Sequence, residues 1–507
     1  MAVALFLGTL ALHTRHRDFP YSYHPDEAGK TGQIILGSRN YHHPLLMLSV
    51  TDVLTRITFL DRQPQPVVEL GRGVSALFAS GAVAALALLA WLRYGTLAGW
   101  AAGLAVALQA DLFEAAHYLK EDPALLFGLA LSLLAVQVWW WSPGRKSLRF
   151  LGLACGLAAA GKYLGVVTLV FALPLVIWHG SVAATLDRRA RLKLFALAFS
   201  LTFLVANLPL FATKISSPFR SVGHEMAGVA GGHRGLTRKV PHGEYLDSLR
   251  QGMPPAVLIL ASAYGLIVLA TARRRAPPEW AALLFPLGYL ALISCSPKTA
   301  ERYLLPVNVL LPFLGVLGAA EIGRTLGGTA SRARRVFGIA VLAGLAGWQL
   351  QSQIPPLQRA YRGFQHDDPT AAAEWIKTNL PPAAVLAEDH RVNLSPTKAG
   401  GVSQNARVPQ KIYDANFAAD LGTLDELRAK GVTHVVICRQ SYGRYFADET
   451  QPRAGAKTAF DQRREFYARV LEEGELLAEW PPGTISYVQP GIKIYRIAPA
   501  KAPAAAP

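Results

Sequence analysis

Two adjacent carboxylates, Asp26 and Glu27, follow Tyr23-His24-Pro25 a short way past the first apolar block of the chain. Carboxylates placed beside lipid are costly to keep, so the pair suggests a general base with a cation ligand or hydrogen-bond partner next to it. A helix N-terminus reads equally from the same residues, with Pro25 in the first turn and both acids complementing the dipole. A second acidic cluster, Asp111, Glu114, Glu121 and Asp122, shares a short stretch with His117 and Lys120. There Asp122-Pro123 opens an apolar block and would aim a carboxylate at the membrane boundary. Lys162, Lys298 and Arg302 sit between other apolar blocks. Arginine suits bidentate and lysine point-charge contact with phosphate, and the plainer reading is snorkelling or pairing with Glu301. His42-His43-Pro44 offers a metal ligand or a loop cap, although neighbouring histidines rarely share one ion. His224, Glu225, His233, Arg234, His242 and Glu244 lie among glycines in a long loop, a composition suited to covering a substrate. Asn393-Leu394-Ser395 matches a glycosylation sequon, a pattern frequent by chance.

Elements that could position these groups follow from composition. Of 507 residues 51% are hydrophobic and 17% charged, and the apolar residues gather in blocks of about 15–20, near the ~20 needed to cross a hydrocarbon core of ~30 Å. Eleven crossings are predicted, near 2–14, 74–92, 95–112, 123–141, 148–160, 163–179, 194–212, 254–272, 279–296, 303–320 and 336–352. The first is short, yet it has no basic n-region and no Ala-x-Ala site, which favours a clipped or tilted helix over a signal peptide. Basic residues mark every second connection, at Arg93, Arg145-Lys146, Arg188 to Lys193, Arg273 to Arg275 and Arg324 to Arg335, so that side is expected to be the cytoplasm. Loops 15–73 and 213–253, the connections 112–122 and 297–302, and everything past about 353 then face outward from a cytoplasmic (inner) membrane. Trp139, Trp140 and Trp141 read as an interfacial anchor. The net charge of +17 is dispersed between apolar blocks, a topological pattern that points to the lipid bilayer and away from nucleic acid. Cys155, Cys295 and Cys438 lie far apart and match no metal-ligand spacing.

Past residue 353 amphipathic and alternating segments replace the apolar blocks. Helices are predicted at 371–379, 424–430 and 460–473 and strands at 383–388, 432–438 and 492–497. The expected architecture is an all-α polytopic membrane domain over 1–352, a small extracytoplasmic α/β domain over 353–497, and a disordered Ala/Pro-rich tail over 498–507.

The chain resembles the GT-C glycosyltransferases, polytopic enzymes that include protein O-mannosyltransferases and the aminoarabinose transferases of lipid A. The resemblance spans nearly the whole chain and rests on His24-Pro25-Asp26-Glu27, Lys120-Glu121-Asp122-Pro123, Gly161-Lys162-Tyr163, Glu301-Arg302-Tyr303-Leu304-Leu305-Pro306 and the final strand Gly491 to Arg496. It implies transfer of a sugar from a polyprenyl-phosphate-linked donor to an acceptor that is a protein, a lipid or a glycan. Asp26 becomes the catalytic base, deprotonating an acceptor hydroxyl with inversion at the anomeric carbon. Glu27 and Asp122 orient the acceptor or bind a divalent cation; whether a metal takes part is left open. Lys162, Lys298 and Arg302 receive the lipid phosphate, and His24, Glu121 and Tyr303, in the same motifs, contact substrate. The Trp-Trp-Asp motif of the related oligosaccharyltransferases is missing, which argues against N-glycosylation. Two other classes compete: a transporter or flippase of a lipid-linked sugar, expected to carry broken helices and repeated halves that the sequence does not display, and a non-catalytic scaffold with a glycan-binding outer domain.

Overall fold

The computed structural model describes residues 1–178, 186–230, 236–238, 244–296, 300–327, 331–395, 401–402, 406–447, 450–452 and 455–497. Lys298, His233, Arg234, His242 and the tail 498–507 lie outside them. The chain divides into two compact units. The first holds Met1–Arg17, Asp26–Ala230 and Pro241–Gln358; the second holds Asp18–Pro25, Gly231–Val240 and Arg359–Pro507.

The first unit is helical. Its helices are α1 (Ala2–His13), α2 (Pro25–Ile35), α3 (Leu46–Ile57), α4 (Pro64–Tyr94), α5 (Thr96–Ala107), α6 (Ala110–Ala116), α7 (Asp122–Trp141), α8 (Arg145–Gly161), α9 (Leu169–Trp178), α10 (Arg188–Ala206), α11 (Pro218–Ala230), α12 (Glu244–Gly252), α13 (Pro255–Ala270), α14 (Pro277–Ser294), α15 (Leu305–Gly327) and α16 (Arg332–Gly363), whose last turns pass into the second unit. Strands β1 (Ser38–Arg39) and β2 (Lys214–Ile215) pair in parallel. Each predicted crossing coincides with a helix. By length and apolar composition alone, however, three helices among the described residues suffice to cross a membrane, or five if each of two bent pairs is one span. The bends correct the expectation of unbroken helices: α5 and α6 meet at 62°, and α12 and α13 at 117°. Loop 15–73 is likewise no plain loop, since α2 and α3 fill it and α4 starts ten residues before the predicted crossing.

Small residues set the packing that matters below. A Cβ on Gly128 would stand 2.3 Å from the Ala158 nitrogen, and one on Gly161 would stand 2.5 Å from the Leu125 nitrogen. Only glycine admits such an approach, so α7 and α8 run backbone to backbone and the start of α7 meets the end of α8. Of the three tryptophans closing α7, Trp139 is fully buried among the helices and Trp141 is exposed, so the indole run is only partly an anchor.

The second unit is an α/β domain. Beyond β3 (Leu236–Arg238), which pairs with β8 (Thr450–Pro452), its sheet comprises β4 (Val385–Asp389), β5 (Gly401–Val402), β6 (Lys411–Ala415), β7 (His434–Cys438), β9 (Glu475–Trp480) and β10 (Ile492–Arg496) in the order β5-β6-β4-β7-β10-β9. β6, β4 and β7 are mutually parallel, and β10 runs antiparallel between β7 and β9. One face is covered by α17 (Asp368–Asn379), whose Ala372, Ala373 and Ile376 pack on Leu386, Ile412 and Val436. The other face carries α18 (Leu424–Ala429) and α20 (Lys457–Glu473), which bury Leu427, Phe466 and Val470 against Val435 and Ile437. A short helix α19 (Arg439–Tyr442) follows β7. Segment Asp18–Pro25 is part of this unit: Tyr23 donates to Asp367, Arg407 reaches the Tyr23 hydroxyl at 3.2 Å, and Asn393 Nδ2 donates to Ser22 Oγ at 3.0 Å. The chain passes into the helical unit between Pro25 and Asp26.

Candidate active site

α2 starts at Pro25 with Asp26 and Glu27 in its first turn, so the helix N-terminus foreseen for these residues is real. Its helical spacing separates the two acids. Glu27 turns inward, fully buried, where Arg72 Nη2 and Nε hold its oxygens at 2.7 and 3.0 Å and the Leu119 N–H donates at 2.8 Å. With both oxygens occupied, Glu27 pins α2, α4 and the 117–121 connection together. The structure thus places Glu27 in a buried ion pair with Arg72.

Asp26 points the other way, with 36% of its side chain exposed. Lys120 Nζ stands 3.0 Å from its Oδ2, and Arg302 Nη1 stands 3.8 Å from the same oxygen. Two residues after Lys120, Asp122 Oδ1 lies 2.6 Å from Lys162 Nζ, a meeting set up by the glycine contact between α7 and α8. The Lys162 ammonium also sits 4.9 Å from the centre of the Tyr303 ring, and the Arg302 guanidinium 5.6 Å from it, so Tyr303 offers its face to both cations. Glu121 is buried on Lys30 at 2.7 Å, and Lys30 also donates to the Leu119 carbonyl at 3.0 Å. This ion pair, and not an open contact surface, is where the structure places Glu121.

Thus Asp26, Glu121, Asp122, Lys162, Arg302 and Tyr303 come together in the helical unit. His24 does not: it belongs to the second unit, where its ring lies 4.3 Å from that of Tyr487. Three groups escaped assignment from sequence. Arg72 lies within an apolar helix, where an ionisable residue is itself a signal; Lys30 follows Glu27 by less than one helical turn; Lys120 was noted only as a neighbour.

Lys30, Lys120, Lys162 and Arg302 face Asp26, Glu121 and Asp122, four cations against three carboxylates. Burial pushes the Lys120 ammonium down to about 8, with Arg302 lowering it further and Asp26 opposing the fall. Burial alone would raise the Glu121 carboxyl, and the Lys30 ammonium reverses that, holding it below its ordinary value. Cations gathered at these carboxylates can accept a phosphate, and Asp26, the most exposed of the three acids, is placed to take a proton. Among the described residues no group of three or more His, Cys, Asp or Glu is arranged to hold a metal ion. His42 meets only His224 ring to ring, at 5.4 Å, within that limit.

Residues 61–217 match the family model described as dolichyl-phosphate-mannose-protein mannosyltransferase. The match includes Lys120, Glu121, Asp122 and Lys162, and covers less than half of the chain. A search of curated proteins finds no match. Among solved structures, ArnT from Cupriavidus metallidurans, bound to undecaprenyl phosphate, is 14% identical over 97% of this chain and 96% of its own, with a TM-score of 0.50. The Archaeoglobus fulgidus oligosaccharyltransferase, in complex with Zn and sulfate, is 13% identical over 87% of this chain and 69% of its own, also at 0.50. At such identities the likeness is one of fold. The family match is thus partial, and the likeness of fold to ArnT runs nearly the full length of the chain.

Proposed function

We propose that the protein transfers a sugar from a polyprenyl-phosphate carrier to an acceptor hydroxyl, on the extracytoplasmic side of the inner membrane. The reading is carried by one observation: Asp26 paired at 3.0 Å with Lys120 and at 3.8 Å with Arg302, next to the Lys162–Asp122 pair. In the resting cluster these cations stand against the Asp26 carboxylate. An arriving lipid phosphate competes for Lys120 and Arg302. As they turn to it, the Asp26 carboxylate is left open to the acceptor hydroxyl that must be deprotonated. The hydroxyl oxygen attacks the anomeric carbon, its proton passes to Asp26, and the bond to the carrier phosphate breaks on the opposite face, giving inversion. The leaving phosphate needs no proton, because Arg302, Lys120 and Lys162 take up its charge. Asp122, held by Lys162, positions that lysine.

Two further features support the carrier. A groove of about 510 Å³ is lined by Trp140, Phe171, Trp178, Trp280 and Leu284 and includes Tyr289, which is within electrostatic reach of Asp122 and Tyr303. An apolar trough of this size suits an isoprenoid tail. The ArnT structure of the same fold holds undecaprenyl phosphate. The test is incubation of the purified protein with radiolabelled undecaprenyl-phosphate sugars and membrane extract. A labelled product supports transfer; carrier movement across liposomes without product would replace it with a flippase.

A further inference from the structure

In the α/β unit the parallel strands stand in the order β6-β4-β7. The chain leaves β4 for β6 on the α17 face, where Val392, Leu394 and Val408 are buried. It leaves β7 for β9 on the opposite face, where Tyr442, Tyr445, Phe460 and Phe466 are buried. Between β4 and β7 the connections therefore part, which is the topological switch point at which open sheets bind ligands beyond their strand ends.

The two loops that part there carry Arg391, after β4, and Gln440 and Arg444, after β7. Arg391 Nη1 donates to Gln440 Oε1 at 2.7 Å and its guanidinium lies 5.3 Å from the centre of the Tyr487 ring. Arg444 Nη2 donates to the Gln440 carbonyl at 2.8 Å. One neutral residue thus serves both cations, and among the described residues no carboxylate lies within ion-pair distance of either. The Arg444 Nε–H is buried without an acceptor among those residues. Burial and the neighbouring Arg391 charge both weaken the hold of Arg444 on its proton. The buried Asp389 feels the Arg444 charge but forms no ion pair with it, its oxygens accepting from the Ala418 N–H at 2.8 Å, the Cys438 N–H at 3.0 Å and the Tyr467 hydroxyl at 2.6 Å. Two like charges held side by side with donors to spare are stabilised by an oxyanion that accepts from both forks.

We propose that the ends of β4 and β7 bind a phosphomonoester between Arg391 and Arg444. This site is built from residues of the α/β unit alone, and the proposal does not depend on the transfer reaction. The test uses the full-length protein in lipid nanodiscs at constant ionic strength, titrated with glucose 1-phosphate as a soluble phosphomonoester and, separately, reconstituted with phosphatidic acid as a membrane one. Arg391→Gln/Arg444→Gln should weaken one of the two probes by roughly tenfold or more, and the probe affected identifies the source; Arg302→Gln should leave that binding intact. Gln440→Glu, which sets an internal carboxylate between the arginines, should abolish it while raising the melting temperature. Binding of neither probe, or binding indifferent to both the double substitution and Gln440→Glu, would overturn the proposal.

Discussion

Two groups of cations, one in each unit, are held in opposite ways. In the helical unit nearly every cation of the cluster has an acid within 4 Å: Arg72 on Glu27, Lys30 on Glu121, Lys162 on Asp122, Lys120 and Arg302 on Asp26. In the α/β unit Arg391 and Arg444 share a neutral glutamine. Desolvation explains the contrast. A charge in a protein interior surrounded by lipid is tolerated only when paired, whereas a half-buried guanidinium at strand ends still borders water. A paired cluster stores its positive charge in salt bridges and releases it when a competing anion arrives, while an unpaired pair of arginines stands ready beforehand.

The comparison breaks first at the Arg72–Glu27 pair. Arg72→Ala leaves a fully buried carboxylate uncompensated and should cost about 3–5 kcal/mol, read as a fall in melting temperature of the detergent-solubilised protein; an unchanged melt would mean the pairs are incidental. Next comes the glycine contact that aligns Lys162 with Asp122. Gly161→Val overpacks the α7–α8 seam and should cost about 1–3 kcal/mol, with loss of the Lys162–Asp122 pairing. Arg302→Ala should weaken donor binding by roughly tenfold in a direct binding assay. Because the Lys120 ammonium titrates near 8, carrier affinity should decline as pH rises through that value, and Lys120→Arg should abolish the decline.

The smallest effect concerns the α/β unit alone. Burial and the facing Asp414 push the Glu388 carboxyl up to about 8 from an ordinary 4.5. The folded state therefore prefers its protonated form, so this contribution to stability is complete below about 4.5 and is lost as pH rises through 8. Glu388→Gln should flatten that slope in thermal melts. A slope unaltered by the substitution would assign the pH dependence elsewhere.

Much of this was legible in sequence, for physical reasons. Strand β7 reads from a β-branched run buried on both faces, β4 from a short apolar run and β10 from its alternation, and α17, α18 and α20 from their helical periods. β6 escaped because Asp414 points inward beside Ile412, which disguises the alternation of Lys411 to Ala415. β9 escaped because Glu-Leu-Leu-Ala-Glu-Trp is a good helix-forming string on an edge, with most of its residues outside the core. In the site, the motifs located Asp26, Asp122, Lys162 and Arg302, but composition could not tell which of two adjacent acids faces inward. Helical geometry decides that, one residue being a rotation of about 100°. Nor could it foresee that Lys120 would pair with Asp26, since that depends on α2 and the 117–121 connection being pinned together by Arg72. His24 illustrates the converse, a motif residue separated from its neighbour Asp26 by a boundary between units.

The account depends on Asp26 taking the acceptor proton once the carrier phosphate has drawn Lys120 and Arg302 away. Asp26→Asn preserves shape and removes the base, so the decisive measurement is transfer of radiolabelled sugar from undecaprenyl phosphate by the purified variant, alongside its donor affinity. The expected result is a fall in turnover of roughly 10²–10⁴-fold with donor binding retained. Turnover equal to that of the unaltered protein would contradict it.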